Sequence, residues 1–323
     1  MAEQVTKKQH FAPKFYFKRF ADPKNFLEVL DIKNARILPH KPYAGVCYAD
    51  YFYAQETGVP DKVSQEIEAI LKATEDIVAP EYDRIVGEIL NDKQITEDDQ
   101  YRLAWFMASL WMRNPTMREG LNRMSIDMTK QINKTQSHHP KFGEYIKRIM
   151  EEKGEPITDE QVEIAKEVFQ SGDYELKMDN SSHLNMFSEM QGFVNLVFAK
   201  KWRIYISNEE DFITSDTPVI EIFPERKGPY GPTFFDRKHT FVMTPKIVIE
   251  LISPGLPGKK IKRKRVDAEQ VTMLNLDRVK WSYQYCYAGK QEGLQNMLKF
   301  YQGKKVAPYL PQNDFANNGK KKP

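Results

Sequence analysis

Three kinds of basic side chain crowd one segment near the start of the chain, Gln9-His10-Phe11-Ala12-Pro13-Lys14-Phe15-Tyr16-Phe17-Lys18-Arg19-Phe20-Ala21. The imidazole of His10 can take or give a proton near neutral pH, and Lys14 and Arg19 can hold a phosphate through charge-assisted hydrogen bonds. The plain alternative is a capping histidine on a surface helix whose cations snorkel to water. A second candidate is Arg113 in Arg113-Asn114-Pro115, where a helix breaks; it either pairs with Asp216 or faces solvent. The third is Phe212-Ile213-Thr214-Ser215-Asp216-Thr217-Pro218-Val219, in which hydroxyls and a carboxylate sit between two apolar runs. Ser215 and Asp216 there are well placed for function: Asp216 can bind a divalent cation such as Mg2+ or Mn2+, or orient His10. The competing reading is an Asx or Ser turn that satisfies its own backbone before Pro218.

A fourth candidate is the run Lys259-Lys260-Ile261-Lys262-Arg263-Lys264-Arg265, with six cations in seven residues. Lys260, Lys262 and Arg263 in such a loop can follow the phosphates of RNA or DNA; the commoner occurrence of such a run is a solvated hairpin tip. The chain as a whole carries a net charge of only +3, so a nucleic-acid reading rests on this run and on the Lys320-Lys321-Lys322 tail. His138-His139 has no third ligand at metal-site spacing. A glycine-rich phosphate loop, a Cys-x-x-Cys pair, a G-x-S-x-G elbow and a dinucleotide fingerprint are all absent, which disfavours the enzyme classes they mark.

With 323 residues and 41% hydrophobic content, the chain can bury a substantial core. Cys47 and Cys286 are far apart, and no hydrophobic signal opens the sequence, so a reducing cytoplasm is expected. No stretch approaches the roughly 20 apolar residues that span a bilayer.

The elements that must position these groups follow from periodicity. Pro13 suits the first turn of a helix over Lys14 to Ala21. Phe26 to Ile32 and Ala35 to Leu38 read as a β-hairpin, and the aromatic segment Tyr48 to Tyr53 is expected to pack against it. From Ser64 apolar residues recur at helical spacing, with a kink or division expected at Pro80. Thr96 caps an apolar helix that ends at Arg113, and a further helix runs through Met128. Residues 142–152 and 158–170 read as surface helices, and one more helix extends from Asp179 to Phe198. Trp202 to Ile206 with Phe212 to Thr214 resembles a hairpin. Strands at Val219 to Ile222, Thr240 to Met243 and Ile247 to Ile252, and aromatic alternation from Trp281 to Tyr287, complete a sheet before a helix at Glu292 to Tyr301. The expected fold is α+β: an N-terminal helix and hairpin, a helical middle at 64–200, and a mostly antiparallel sheet at 201–290. A single domain at 1–310 and a disordered tail at 311–323 are expected.

The stretch Gln9 to Phe20 resembles the H-x-x-P-x-x-x-L-x-x-F signature of the bacterial domain-of-unknown-function family 4238, with Phe17 in place of the usual Leu. The hairpin, Arg113-Asn114-Pro115 and Phe212 to Pro218 match its later blocks in order, with Thr217 where Asn is common, so the resemblance spans about residues 9 to 290. It implies that His10, Pro13, Arg113, Ser215 and Asp216 belong to one shared feature, and it supplies no activity.

The functional expectation is a nucleic-acid-directed hydrolase, an RNase of bacterial defence or toxin type. In it His10 serves as acid or base, Lys14, Arg19 and Arg113 hold phosphate, and Asp216 orients His10 or binds metal. The alternative is a non-catalytic binding or sensor module in which His10, Ser215 and Asp216 form a buried polar network.

Overall fold

The computed structural model describes residues 6–53, 55–56, 63–64, 66–176, 181–222, 237–252 and 261–304. The tail at 311–323 and the cations Lys259 and Lys260 lie outside the described residues. The first part of the chain forms β1 (Lys8–His10), α1 (Lys14–Phe17), β2 (Phe26–Asp31), β3 (Arg36–Pro42), β4 (Tyr48–Asp50), β5 (Gln55–Glu56) and β6 (Val63–Ser64). Helices follow: α2 (Glu66–Leu90), α3 (Glu97–Met112), α4 (Pro115–Ser137), α5 (Phe142–Glu152), α6 (Asp159–Ser171), α7 (Ser181–Ser188) and α8 (Met190–Ala199). The last part comprises β7 (Lys201–Ser207), β8 (Thr214–Ser215), β9 (Val219–Ile222), β10 (Lys238–Thr244), β11 (Ile247–Ile252), β12 (Ile261–Val266), α9 (Ala268–Trp281), β13 (Tyr285–Ala288) and α10 (Gln291–Lys304). This is the expected α+β class, with a helical centre and a C-terminal sheet. Among the described residues, no helix is long and apolar enough to cross a membrane.

Two compact units emerge, Met1–Arg118 with Asn185–Pro323, and Glu119–Leu184. In the smaller one, Thr158 caps α6 through a capping box with Gln161, and Gly172 ends that helix in the left-handed region at φ 72°. Lys130 Nζ donates to the Gly172 carbonyl at 2.9 Å, and the Phe142 and Phe169 rings meet at 5.9 Å.

The larger unit holds two principal sheets. One runs β12-β7-β11-β10-β9 and the other β3-β2-β13-β8. Tyr16 joins them, because its hydroxyl reaches Thr214 Oγ1 at 2.5 Å and donates to the Val242 carbonyl at 2.7 Å. Thr96 and Asp99 form the capping box that starts α3, whose Leu103, Phe106, Met107 and Leu110 are fully buried. Burial on this scale is worth about 1.5–3 kcal/mol per large apolar side chain, which makes α3 the centre of the core.

Several local expectations gave way to tertiary demands. The opening helix is one α turn followed by a 3-10 turn, Lys18–Phe20, and the tighter winding puts Phe17 and Phe20 on the same side, both buried. Tyr48–Asp50 pairs with β1 as β4 and does not simply cover the hairpin. The helix α2 passes through exposed Pro80 undivided, because buried Leu71 and Val78 before it and Tyr82 and Ile85 after it hold both halves to the core. The stretch expected as one helix from Asp179 is two, α7 and α8, and Trp281 ends α9 where a strand was expected. The strands β7 and β8 are not a hairpin: they belong to different sheets. Lys246 Nζ donates to the carbonyls of Asn208 (3.3 Å) and Glu209 (3.0 Å), which holds the intervening loop to the β10–β11 turn. Nor is Ile261–Val266 a hairpin tip. It is a strand, parallel to β7 with Lys262 opposite Arg203 and Lys264 opposite Tyr205.

Candidate active site

His10 is placed by the short β1–β4 ladder, in which Gln9 faces Ala49 and His10 faces Tyr48, with Phe11 N–H donating to the Cys47 carbonyl at 2.9 Å. Strand alternation sends Gln9 into the core, where its Oε1 accepts from Tyr53 N–H at 2.6 Å, and leaves His10 half-buried on the other face. The turns on either side of β4 put Cys47 (φ 55°) and Tyr51 (φ 52°) in the left-handed region, a strain of about 1–2 kcal/mol each that buried Cys47 and Tyr53 hold in place. His10 Nε2 lies 3.4 Å from the Ala44 carbonyl, and its ring is 5.5 Å from that of Tyr48. Burial holds the imidazole below its ordinary 6.5, assisted by Lys14 and Arg113 and opposed by the Ala44 carbonyl and Glu75. The neutral ring that results is a proton acceptor at physiological pH.

Arg113 arrives from the break between α3 and α4. Asn114 makes that break: its Nδ2 donates to the Trp111 carbonyl at 2.7 Å and its Oδ1 accepts from Met117 N–H at 2.8 Å, while Pro115 starts the next helix where no N–H is needed. The guanidinium is only 1% exposed. Its Nη1 donates to Glu75 Oε1 at 2.7 Å, and its Nε and Nη2 are buried with no hydrogen-bond partner among the described residues. Buried donors left open are costly, about 1–3 kcal/mol each. Glu68 stands two turns before Glu75 on α2, so both carboxylates share one helix face. Burial pushes the Glu68 carboxyl above its ordinary 4.5, Arg113 opposes this and Glu75 adds to it, and Glu68 Oε2 is buried without a partner among the described residues. The cluster is therefore His10, Lys14, Glu68, Glu75 and Arg113, opening to solvent at exposed Lys14 and at the 31%-exposed side chain of Glu75.

Ser215 and Asp216 stand in a different environment. Asp216 Oδ1 accepts from Tyr283 N–H at 3.1 Å, and Oδ2 from the N–H groups of Gln284 and Tyr285, both at 2.8 Å. Its own N–H donates to the Tyr285 carbonyl at 3.0 Å, so one residue splices β8 to the start of β13. Burial pushes the carboxyl up to about 7, against the pull of those three amides. Ser215 Oγ donates to the Thr217 carbonyl at 3.0 Å, the local turn that was the plain alternative. From α9, buried Arg278 donates through Nη1 to the carbonyls of Thr217 (2.8 Å) and Pro218 (2.9 Å) and through Nη2 to that of Thr240 (3.1 Å). Asp216 thus neither pairs with Arg113 nor orients His10, because its oxygens are taken by the backbone and Arg113 is bonded to Glu75. Among the described residues no group of three His, Cys, Asp or Glu side chains is disposed to hold a metal ion, so Asp216 gathers no second and third ligand there.

The family described as "Protein of unknown function (DUF4238)" matches residues 8–292. The chain belongs to the DUF4238 family. The match begins at the first residue of β1 and ends inside α10, so this DUF4238 chain carries both clusters within the family region. No curated protein and no solved structure matches it.

The remaining candidates of the DUF4238 chain lie apart from His10. Arg19 is committed to Asp83 (Nη2 to Oδ1, 2.6 Å) and to the Phe15 carbonyl, with its guanidinium 4.4 Å from the centre of the Tyr82 ring, so it holds α1 to α2 and is not free for phosphate. Arg263 donates to the Lys93 carbonyl, and Lys262 is exposed on β12, at the edge of the five-stranded sheet farthest from β9. Lys260 lies outside the described residues. Sequence reasoning missed Glu68, Glu75 and Arg278. The carboxylates left a trace, a seven-residue spacing along the edge of the Ile67, Leu71, Thr74, Val78 stripe, whereas Arg278 left none, being one of two cations in the last turn of α9.

Proposed function

We propose that this protein is a ribonuclease-type phosphodiester hydrolase whose chemistry runs at the His10–Arg113 cluster. One observation carries the reading: a half-buried imidazole lies within electrostatic reach of a buried guanidinium whose Nε and Nη2 have no hydrogen-bond partner among the described residues. Donors of that kind, with Lys14 at the mouth, suit the non-bridging oxygens of a phosphate. His10 and Glu68 are pushed in opposite directions, the imidazole toward its neutral base form and the carboxyl toward its protonated form, which is the pattern of an acid–base pair. In the step so assigned, His10 takes the proton of the ribose 2′-hydroxyl as that oxygen bonds to phosphorus. The bond from phosphorus to the 5′-oxygen breaks, and Glu68 gives that oxygen its proton. The products are a 2′,3′-cyclic phosphate and a 5′-hydroxyl end. RNA is favoured over DNA because the nucleophile is then supplied by the substrate.

The test is incubation of the purified protein with labelled single-stranded RNA and with DNA of the same sequence, with and without EDTA. Cleavage of RNA alone to cyclic-phosphate ends, resistant to EDTA and lost in His10→Ala, is the expected result. Absence of cleavage, or cleavage that survives His10→Ala, overturns the reading.

A further inference from the structure

The cationic run that sequence reading placed in a loop forms an edge strand, and that placement divides its charges between two faces. Arg263 and Arg265 turn to the side of Asp92 and Lys93: Arg265 Nη2 donates to Asp92 Oδ2 at 2.6 Å, and Arg263 donates to the Lys93 carbonyl. Lys262 and Lys264 project from the opposite face, and both are exposed. The parallel register sets them beside Arg203 and Tyr205 of β7. Lys201 belongs to the same face by alternation, and the Arg203 side chain is 50% exposed. The acid of β11 on this face, Glu250, is already engaged: it accepts from the Tyr205 hydroxyl at 2.9 Å and pairs with Arg203 (3.4 Å) and Lys238 (3.2 Å).

The outcome is an open corner of a β-sheet bearing Lys201, Arg203, Lys262 and Lys264 around one aromatic ring. Residues two apart on a strand are separated by about 6.6 Å and neighbouring strands by about 4.8 Å, so these cations form a flat grid on the scale of the phosphate repeat of an extended nucleic-acid strand. A sheet face that combines cations with an aromatic side chain suits single strands, whose phosphates meet the cations and whose bases stack. A flat grid beside a lone ring is less suited to a duplex, in which the bases are already stacked. We propose that the β7–β12 face is a docking surface for single-stranded RNA, built on different strands from the one that carries His10. The proposal rests on the ribonuclease reading for the identity of its ligand, and it adds where the substrate strand is held beyond the point of cleavage.

The experiment measures binding separately from cleavage, using a fluorescent 2′-O-methylated 12-mer that lacks the attacking hydroxyl. Wild type is expected to bind it with a strong salt dependence, and Lys262→Glu with Lys264→Glu to weaken binding at least tenfold with an unchanged melting temperature. Lys262→Ala with Lys264→Ala is expected to lower the slope of log affinity against log salt by about 1.4, at about 0.7 per cation on a single strand. If the charge-reversed protein binds the 12-mer unchanged, the lysines only guard an unpaired sheet edge and the proposal fails. Equal affinity for a duplex, or charge-dependent binding to phosphatidylserine vesicles without binding to the 12-mer, also overturns it. Charge-dependent binding of the 12-mer by a protein that cleaves no RNA would remove the ribonuclease reading while leaving the docking surface in place.

Discussion

Arg113 and Arg278 are both buried guanidinium groups near helix ends, and they are used in opposite ways. Arg278 gives its two terminal nitrogens to three backbone carbonyls and sits in a closed pocket with Asp216, whose oxygens take three backbone N–H groups. Arg113 gives one nitrogen to Glu75, keeps two without partners among the described residues, and lies within electrostatic reach of half-buried His10. A buried charge whose bonds end on the chain's own backbone stabilises the fold. One whose donors remain open beside a titratable, solvent-reaching group is suited to a ligand. The family resemblance groups His10, Arg113, Ser215 and Asp216 as one feature, and the structure resolves that feature into these two regions. Cys47 lies where they approach each other: its carbonyl accepts from Phe11 N–H beside His10, and its thiol reaches the Tyr287 hydroxyl at 3.5 Å on the Asp216 side.

The contrast can be broken at either end. The largest effect is expected from His10→Ala, which removes the proposed base and should lower RNA cleavage by about 100- to 10,000-fold with little change in thermal unfolding. A variant that melts several degrees lower and still cleaves would move His10 to the structural side of the comparison. Arg278→Met should do the reverse. Losing a buried cation that holds three carbonyls should destabilise the fold by about 3–5 kcal/mol in denaturant unfolding, with activity per folded molecule retained. A near-neutral Arg278→Met would show that its hydrogen bonds contribute nothing net to the fold.

Asp216→Asn is expected to cost about 1–3 kcal/mol, since an amide cannot accept all three backbone donors at both of its heteroatoms. The same variant sharpens the comparison through pH. As pH rises, the unfolded Asp216 carboxyl ionises near its ordinary 3.8 while the folded one keeps its proton to about 7, so the folded state binds the extra proton between those values. The contribution of this group to stability is therefore full below about 3.8 and declines as pH rises toward 7. Asp216→Asn should remove that decline, and unfolding curves for the two proteins that keep the same pH slope would contradict it. The smallest effect is on the pH profile of cleavage. Burial lowers the His10 imidazole and raises the Glu68 carboxyl, so the profile should be bell-shaped with one limb from each group, and a profile that stays bell-shaped in Glu68→Gln would exclude this acid–base pair.

How much was legible in advance can be judged residue by residue. Thr96 announced its helix because a capping box is written in four consecutive residues, and that box is present; the same kind of box at Thr158, which starts the helix expected at 158–170, went unread. The β2–β3 hairpin, β9, β10 and β11 followed from alternation, and Arg113 followed from the proline two residues after it. The proximity of His10, Lys14 and Arg113 was legible in part, since two of them share one segment. Glu68 and Glu75 were not singled out, because a carboxylate on an amphipathic helix resembles any solvated one until the facing surface is known.

The sequence by itself determined the α+β class, the helices with their own caps and periods, the strands with their own alternation, and the set of residue types able to do chemistry. These depend on interactions between residues a few positions apart, which the order of the chain fixes. Only the tertiary structure decided which of those residues meet. Asp216 goes to the amides of Tyr283 to Tyr285, Arg278 to Thr217, Pro218 and Thr240, Arg113 to Glu75, and the basic run to a sheet edge beside β7. Each of those partners is separated by tens of residues, and the packing of distant elements selects it for reasons that no local spacing contains.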